Sequence, residues 1–306
     1  MNKVIRIGTR ESELALWQAN HVKRELEKNG TSCLILPIKS HGEIETTLPI
    51  YEIGVQGVFT KTLDIALIEN RIDIAVHSLK DVPTRTPEGI SIVSVPKRGN
   101  HKDVIVSRSP IEWETIKSRV ATSSIRRKAQ WNYKYPESIF DTIRGNINTR
   151  LQKLKNHPEW DGVIFAAAGI ERINLKVPHL EVLEWMLPAP AQGALGIAAR
   201  TDDLETISIC KKINHNPSSI ATNSERQFLR QLMGGCATPI AAFAEIKGQE
   251  LHFKGNIMTL GSSPKKKEIE KTFSIDQAED AGKLAAEEIL KDGGQEIIDE
   301  IRRTIG

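Results

Sequence analysis

The chain has 306 residues, enough for two or three domains that each bury a core, and its 42 basic and 39 acidic side chains leave a net charge of +3. So near-neutral a chain excludes a bulk field for nucleic acid or an anionic membrane, and basic residues matter only as local clusters. Three cysteines without metal spacing (Cys33, Cys210, Cys236) and a longest uncharged run, 185–199, that holds two prolines exclude a disulfide framework and a membrane span. A cytoplasmic protein with no metal, no nucleic-acid partner and no membrane partner is expected, and the strand pattern at Met1 to Thr9 leaves no room for an export signal.

Val4, Ile5 and Ile7 predict a first strand, and Leu14, Trp17, Ala19, Val22 and Leu26 give the apolar stripe of a helix ending at Gly30. Arg10 and Ser12 then lie in a strand-to-helix turn. Residues 32–38 read as a second strand, which makes β-α-β and a parallel pair with Cys33 in the core. From Lys39 to Thr60 no period is sustained, and a connection of that length is expected to be a lid. A helix over 59–69 leads into the stretch Ile72 to Pro83, where Ile72, Ile74 and Val76 alternate with Asp73, Ala75 and His77 as in a short strand. Pro83 cannot donate to a ladder, so Lys80 and Asp81 fall just past a strand's carboxyl end, where open α/β sheets bind ligands.

The polar run 96–100 suits a hinge into a second domain, which opens with a strand at 103–107 and repeats the grammar of the first. A strand from Arg119 is followed by Ser123 or Ser124 as N-cap and a helix with Arg126 and Arg127 in its first turn. Two cations there oppose the helix macrodipole, a placement that makes sense where an anion docks. Residues 140–150 repeat the device with Arg144 and Arg150, and the strand at 162–167 leads to Arg172. The proline-rich stretch 187–199 is the expected return hinge, followed by a helix over 204–213 with Cys210 on its buried face. A linker at 215–218 opens a third domain. It holds a helix over 223–233, three strands (240–246, 250–259, 267–274) and two helices split by Gly293-Gly294, with Lys265 to Lys267 read as a solvated turn.

Cys236 differs from the other cysteines because it follows Gly234-Gly235 and precedes Thr-Pro, a tight loop that presents a thiol rather than packing it. Arg10, Arg126, Arg127, Arg144, Arg150 and Arg172 all fall near strand ends. Because guanidinium pairs with carboxylate in bidentate fashion, a set of this kind around one cleft suits a ligand bearing many carboxylates.

Gly-Thr-Arg-Glu-Ser at 8–12, His-Ser-Leu-Lys-Asp-Val-Pro at 77–83, Thr-Ser-Ser-Ile-Arg-Arg at 122–127, Arg-Gly-Asn at 144–146 and Gly-Gly-Cys at 234–236, in this order, resemble the porphobilinogen deaminase (hydroxymethylbilane synthase) family. The resemblance implies an enzyme that condenses four porphobilinogen molecules head to tail with loss of ammonia. It also implies a dipyrromethane cofactor attached to Cys236 by a thioether, and a monomer. The implied fold is α/β: two periplasmic-binding-protein-like domains joined by two hinge segments (1–97 with 191–214, and 98–190) plus a small C-terminal α+β domain, 215–306. Asp81 is the implied catalytic carboxylate. Lys80, Ser12, Ser124, Arg126, Arg127, Arg144 and Gln192 are the implied cofactor contacts, and Arg10, Arg144, Arg150 and Arg172 the implied substrate contacts.

The chain departs from the family's pattern at Glu52 and Gln56 in the lid, where lysines are usual, at Ala191 in place of a glycine, and at Ala198 in place of an acidic residue. Two rivals are a non-catalytic polycarboxylate-binding clamp, which needs neither Asp81 nor Cys236, and a hydrolase pairing Cys236 with His77.

Overall fold

A computed structural model describes residues 3–38, 60–232, 238–261 and 263–305. The expected lid with Glu52 and Gln56, and the loop that carries Cys236, lie outside the described residues.

The chain opens with β1 (Ile5–Thr9), α1 (Glu13–Lys28) and β2 (Cys33–Pro37), and β1 and β2 pair in parallel. Ser12 Oγ accepts the Ala15 N–H at 3.3 Å and so caps α1. There follow α2 (Lys61–Ile68), β3 (Ile74–Ser78) and β4 (Ile90–Ser94). The chain then crosses to β5 (Asp103–Ser107), β6 (Arg119–Ala121), α3 (Ile125–Lys134), β7 (Ile139–Asp141), α4 (Ile147–Asn156), β8 (Gly162–Ala166), α5 (Ala167–Arg172) and β9 (His179–Val182). It returns through β10 (Leu195–Arg200) and α6 (Leu204–Lys211). A last section holds α7 (Asn216–Leu232), the antiparallel strands β11 (Ile240–Lys247), β12 (Glu250–Met258) and β13 (Lys266–Ser274), and helices α8 (Ala281–Ile289) and α9 (Gln295–Ile305).

Among the described residues these strands form two five-stranded sheets, ordered β2-β1-β3-β10-β4 and β7-β6-β8-β5-β9, and one three-stranded sheet, β11-β12-β13. The fold is the expected α/β arrangement with a small third unit. Each sheet has an apolar core: Ile5, Ile7, Val22, Leu26, Ile74 and Ile197 in the first, Val104, Val106, Ile143, Val163 and Phe165 in the second, Phe228, Phe253, Ile257 and Ile298 in the third. No described helix is long and apolar enough to cross a membrane.

Four local expectations change. Strands β4 and β9 were not anticipated. β3 is buried on both faces, so its alternation does not mark a wet side; Ala75 and His77 are as enclosed as Ile74 and Val76. Helix α7 begins at Asn216 rather than 223, because His215 receives the Ser219 N–H on its carbonyl and Pro217 sits in the first turn, where its missing N–H costs nothing. Of Lys265 to Lys267 only Lys265 is an exposed residue outside the strand: Lys266 and Lys267 lie in β13, Lys266 sits 4.9 Å from the Tyr133 ring centroid, and Lys265 and Lys267 pair with Glu300 and Asp292.

The two segments that cross between the five-stranded sheets touch along their backbones. The Gly99 N–H donates to Gly193 O at 3.1 Å, and Gly193 has φ +84, where a Cβ would stand 2.6 Å from Asn100 O. Arg98 on the first segment donates to Gln192 O on the second at 2.8 Å and pairs with Glu225 of α7 at 2.6 and 3.1 Å. Glu225, fully buried, also accepts the Ala191 and Ala244 N–H groups at 2.6 and 2.7 Å. A buried carboxylate with this many donors is compensated for its lost hydration, and it fixes the third unit to both crossings.

Candidate active site

β3 ends in a single 3₁₀ turn, Leu79–Asp81, because Leu79 is buried and its N–H donates to Ala194 O at 3.0 Å, while Val82 leads into Pro83. Asp81 therefore leaves the sheet at its carboxyl end with an exposed carboxylate. Among the described residues that carboxylate makes no hydrogen bond or ion pair. Its charge is nonetheless felt by Lys80 and Arg150. Burial pushes the Lys80 ammonium down to about 8, with Asp81 opposing the shift. Burial pushes Arg150 down to about 10; Arg127 adds to this and Asp81 opposes it.

Lys80 opens a chain of contacts that reaches the second sheet. Its Nζ lies 3.4 Å from Gln192 Oε1, and the buried Gln192 Nε2 donates to His101 O at 2.8 Å and to Asp103 Oδ1 at 3.0 Å. Asp103 is fully enclosed and receives Arg126 Nη1 at 2.7 Å and Arg127 Nε and Nη2 at 3.0 and 2.8 Å. Burial raises the Asp103 carboxyl, but Arg126 and Arg127 outweigh it and hold it well below the usual carboxylate range. Asp103 thus supplies one internal anion for the two cations in the first turn of α3. Ser124 Oγ caps the helix from the Arg127 N–H at 3.4 Å, and Arg126 Nε is buried with no hydrogen-bond partner among the described residues.

Arg144 stands half-buried in the turn between β7 and α4, and Arg150, one turn into α4, donates to Gly145 O at 2.8 Å. Arg10 follows β1 and adds to the burial that pushes His77 down to about 4; His77 Nε2 has no partner among the described residues. Arg172 donates to Gly193 O at 2.7 Å and lies 5.6 Å from the Trp17 ring centroid, bracing α5 against the return crossing and α1. The structure thus gathers Lys80, Asp81, Gln192, Arg126, Arg127 and Arg150 into one electrostatic unit, with Arg172 at its edge. Asp103 was missed in the sequence; the available signal was a carboxylate opening an otherwise apolar strand right after a hinge.

Such an arrangement, one uncommitted carboxylate near partly desolvated cations, can hold a polyanion and stabilise a positive charge beside it. Residues 5–208 match the family model described as "Porphobilinogen deaminase, dipyromethane cofactor binding domain", and residues 220–291 match "Porphobilinogen deaminase, C-terminal domain". The chain belongs to the porphobilinogen deaminase family. A porphobilinogen deaminase from Chlorobium phaeovibrioides is 42% identical over 313 residues, covering 99% of this chain and 100% of the relative. One from Geotalea uraniireducens is 40% identical, covering 98% and 95%. Among solved structures, the periplasmic VFT2 domain of Bordetella pertussis BvgS is 15% identical, with TM-score 0.43 over 69% of this chain and 86% of its own. Against the porphobilinogen deaminase pattern, Ala191 is the departure the structure illuminates: its φ of +62 is the conformation that glycine tolerates best.

Proposed function

We propose that this chain joins four molecules of porphobilinogen head to tail into hydroxymethylbilane, releasing ammonia at each step, with Asp81 as the reacting carboxylate. The observation that carries this reading is the uncommitted Asp81 carboxylate within electrostatic reach of Lys80 and Arg150. When the aminomethyl C–N bond of porphobilinogen breaks and ammonia leaves, positive charge spreads over the pyrrole and its methylene. Asp81, held near the pyrrole N–H, stabilises that charge. It also serves as the base that takes up the α-proton lost after the new C–C bond forms. Arg10, Arg144, Arg150 and Arg172 bind acetate and propionate groups of the substrate.

The dipyrromethane cofactor, held on Cys236, supplies the nucleophilic pyrrole carbon to which the first substrate is joined. The donor set fits it: Lys80, Ser12, Ser124, Arg126, Arg127, Arg144 and Gln192 offer cations and neutral donors for its carboxylates, and the orphaned Arg126 Nε supports an acceptor at that point. We read residues 1–97 with 191–214, 98–190 and 215–306 as the three domains, and the protein as a cytoplasmic monomer. The three sheets support the former, and the free thiols of Cys33 and Cys210 among the described residues support a reducing compartment.

Intact mass tests the reading. The purified protein should exceed its sequence mass by two linked pyrrole units, and Cys236→Ser should lose both the added mass and the activity. An unmodified, fully active protein would overturn it.

A further inference from the structure

The loop that carries Asp81 has few restraints of its own. Its one 3₁₀ turn has a single internal bond, from the Val82 N–H to Leu79 O at 3.2 Å, Pro83 has no N–H, and the Asp81 side chain makes no hydrogen bond or ion pair among the described residues. The carbonyls of the loop are held instead by α7. Arg226 Nη1 donates to Val82 O at 2.8 Å and to Leu79 O at 3.3 Å, and its Nη2 to Pro83 O at 2.7 Å. One helical turn on, Arg230 Nη2 donates to Thr84 O. A guanidinium presents its donors in a rigid planar fork, so several acceptors on one group fix the direction as well as the distance of the backbone they belong to. Glu225, beside Arg226, anchors the same helix to both crossings. The helix ends at Leu232, four positions in sequence before Cys236.

We propose that Arg226, supported by Arg230, is a positioning residue for Asp81: by gripping the carbonyls on either side of it, α7 aims the carboxylate into the cleft. The helix that leads to the cofactor's cysteine thereby also sets the reacting group. This inference rests on Asp81 being the reacting carboxylate.

Steady-state kinetics of the holoenzyme test it. Arg226→Gln should keep the dipyrromethane mass, lower kcat by about thirtyfold or more and leave KM within about threefold, since the aim of the carboxylate is lost and the anion contacts are not. Arg226→Lys, which reaches one carbonyl, should recover part of the rate. Combined with Asp81→Glu, whose longer side chain has already lost the aim, Arg226→Gln should subtract no more than about another threefold, because the two changes act through one group. A kcat within twofold of wild type, losses that multiply in the double variant, or a raised KM at unchanged kcat would each overturn the proposal. If Arg226→Gln yields no folded holoenzyme, Arg230→Gln is put through the same cycle, with a fall of about threefold to tenfold expected and additive losses again decisive against it. Asp81→Glu alone with full activity would remove the premise, an outcome separate from failure of the positioning role.

Discussion

In the first sheet three parallel strands, β2, β1 and β3, are followed by β10 and β4, and in the second β7, β6 and β8 are followed by β5 and β9 in the same relative directions. The strand reached by each crossing, β5 or β10, takes the same place in both. On this common frame the two sheets handle charge differently. The first sheet brings an exposed, uncommitted Asp81 to its carboxyl end, whereas the second brings Arg126 and Arg127 to its helix start and balances them with a buried carboxylate, Asp103. The difference teaches that the strand frame sets where a charge stands, and that burial decides whether the charge serves structure or chemistry. A carboxylate enclosed by two guanidinium groups is fixed; one left in the cleft is available.

The comparison breaks if the two carboxylates can exchange roles. Asp103→Asn leaves two buried guanidinium groups without their counter-ion and should cost about 3–5 kcal/mol of stability, read from the denaturant midpoint. Asp81→Asn should do the reverse. With no partner to lose it should leave the midpoint unchanged, while kcat falls by about a hundredfold or more. Midpoints that move equally for the two variants would show that exposure does not separate their functions.

Lys80 sharpens the comparison, because it faces Asp81 on one side and the Gln192–Asp103 network on the other. Its protonated form attracts carboxylates, and with its pKa lowered to about 8 by burial the charge is lost as pH rises through that value. The wild-type kcat/KM should therefore fall by about tenfold between pH 7 and 9.5. Lys80→Gln should start lower at pH 7 and lack that decline; a parallel decline in both would assign it to another group. The smallest effect is expected at Ala191. Relief of its left-handed backbone, about 1–2 kcal/mol, is partly offset by the loss of a buried methyl, about 0.8 kcal/mol. Ala191→Gly should thus raise stability by less than about 1 kcal/mol in thermal unfolding.

Much of the frame was legible in the sequence because its signals are local. The stripe from Leu14 to Leu26 and the cap expected at Ser123 or Ser124, which the structure gives to Ser124, depend on neighbours within one helical turn, and the end of β3 is announced by Pro83. The strand 90–94 and the start of α7 escaped, the former because an edge strand of five residues carries little period, the latter because 215–218 reads as a linker although Pro217 suits a helix's first turn. In the candidate site the arginines announced themselves by their turns. Their partners did not: Asp103 meets Arg126 across 23 residues, Glu225 meets Arg98 across 127, and Arg226 reaches Val82 across 144. No local pattern encodes those distances, which follow from how the sheets come together.

The backbone contact between the crossings has a mechanical consequence. Two separate tethers would let the sheets slide, twist and swing independently. Here Gly99 and Gly193 are joined by a hydrogen bond, the space beside Gly193 admits no side chain, and Arg98 is tied to Gln192 and Glu225 at once. Shear of one crossing past the other must break these contacts, whereas a bend shared by both keeps them. Held this way, the pair resists shear more than a bend that both crossings share.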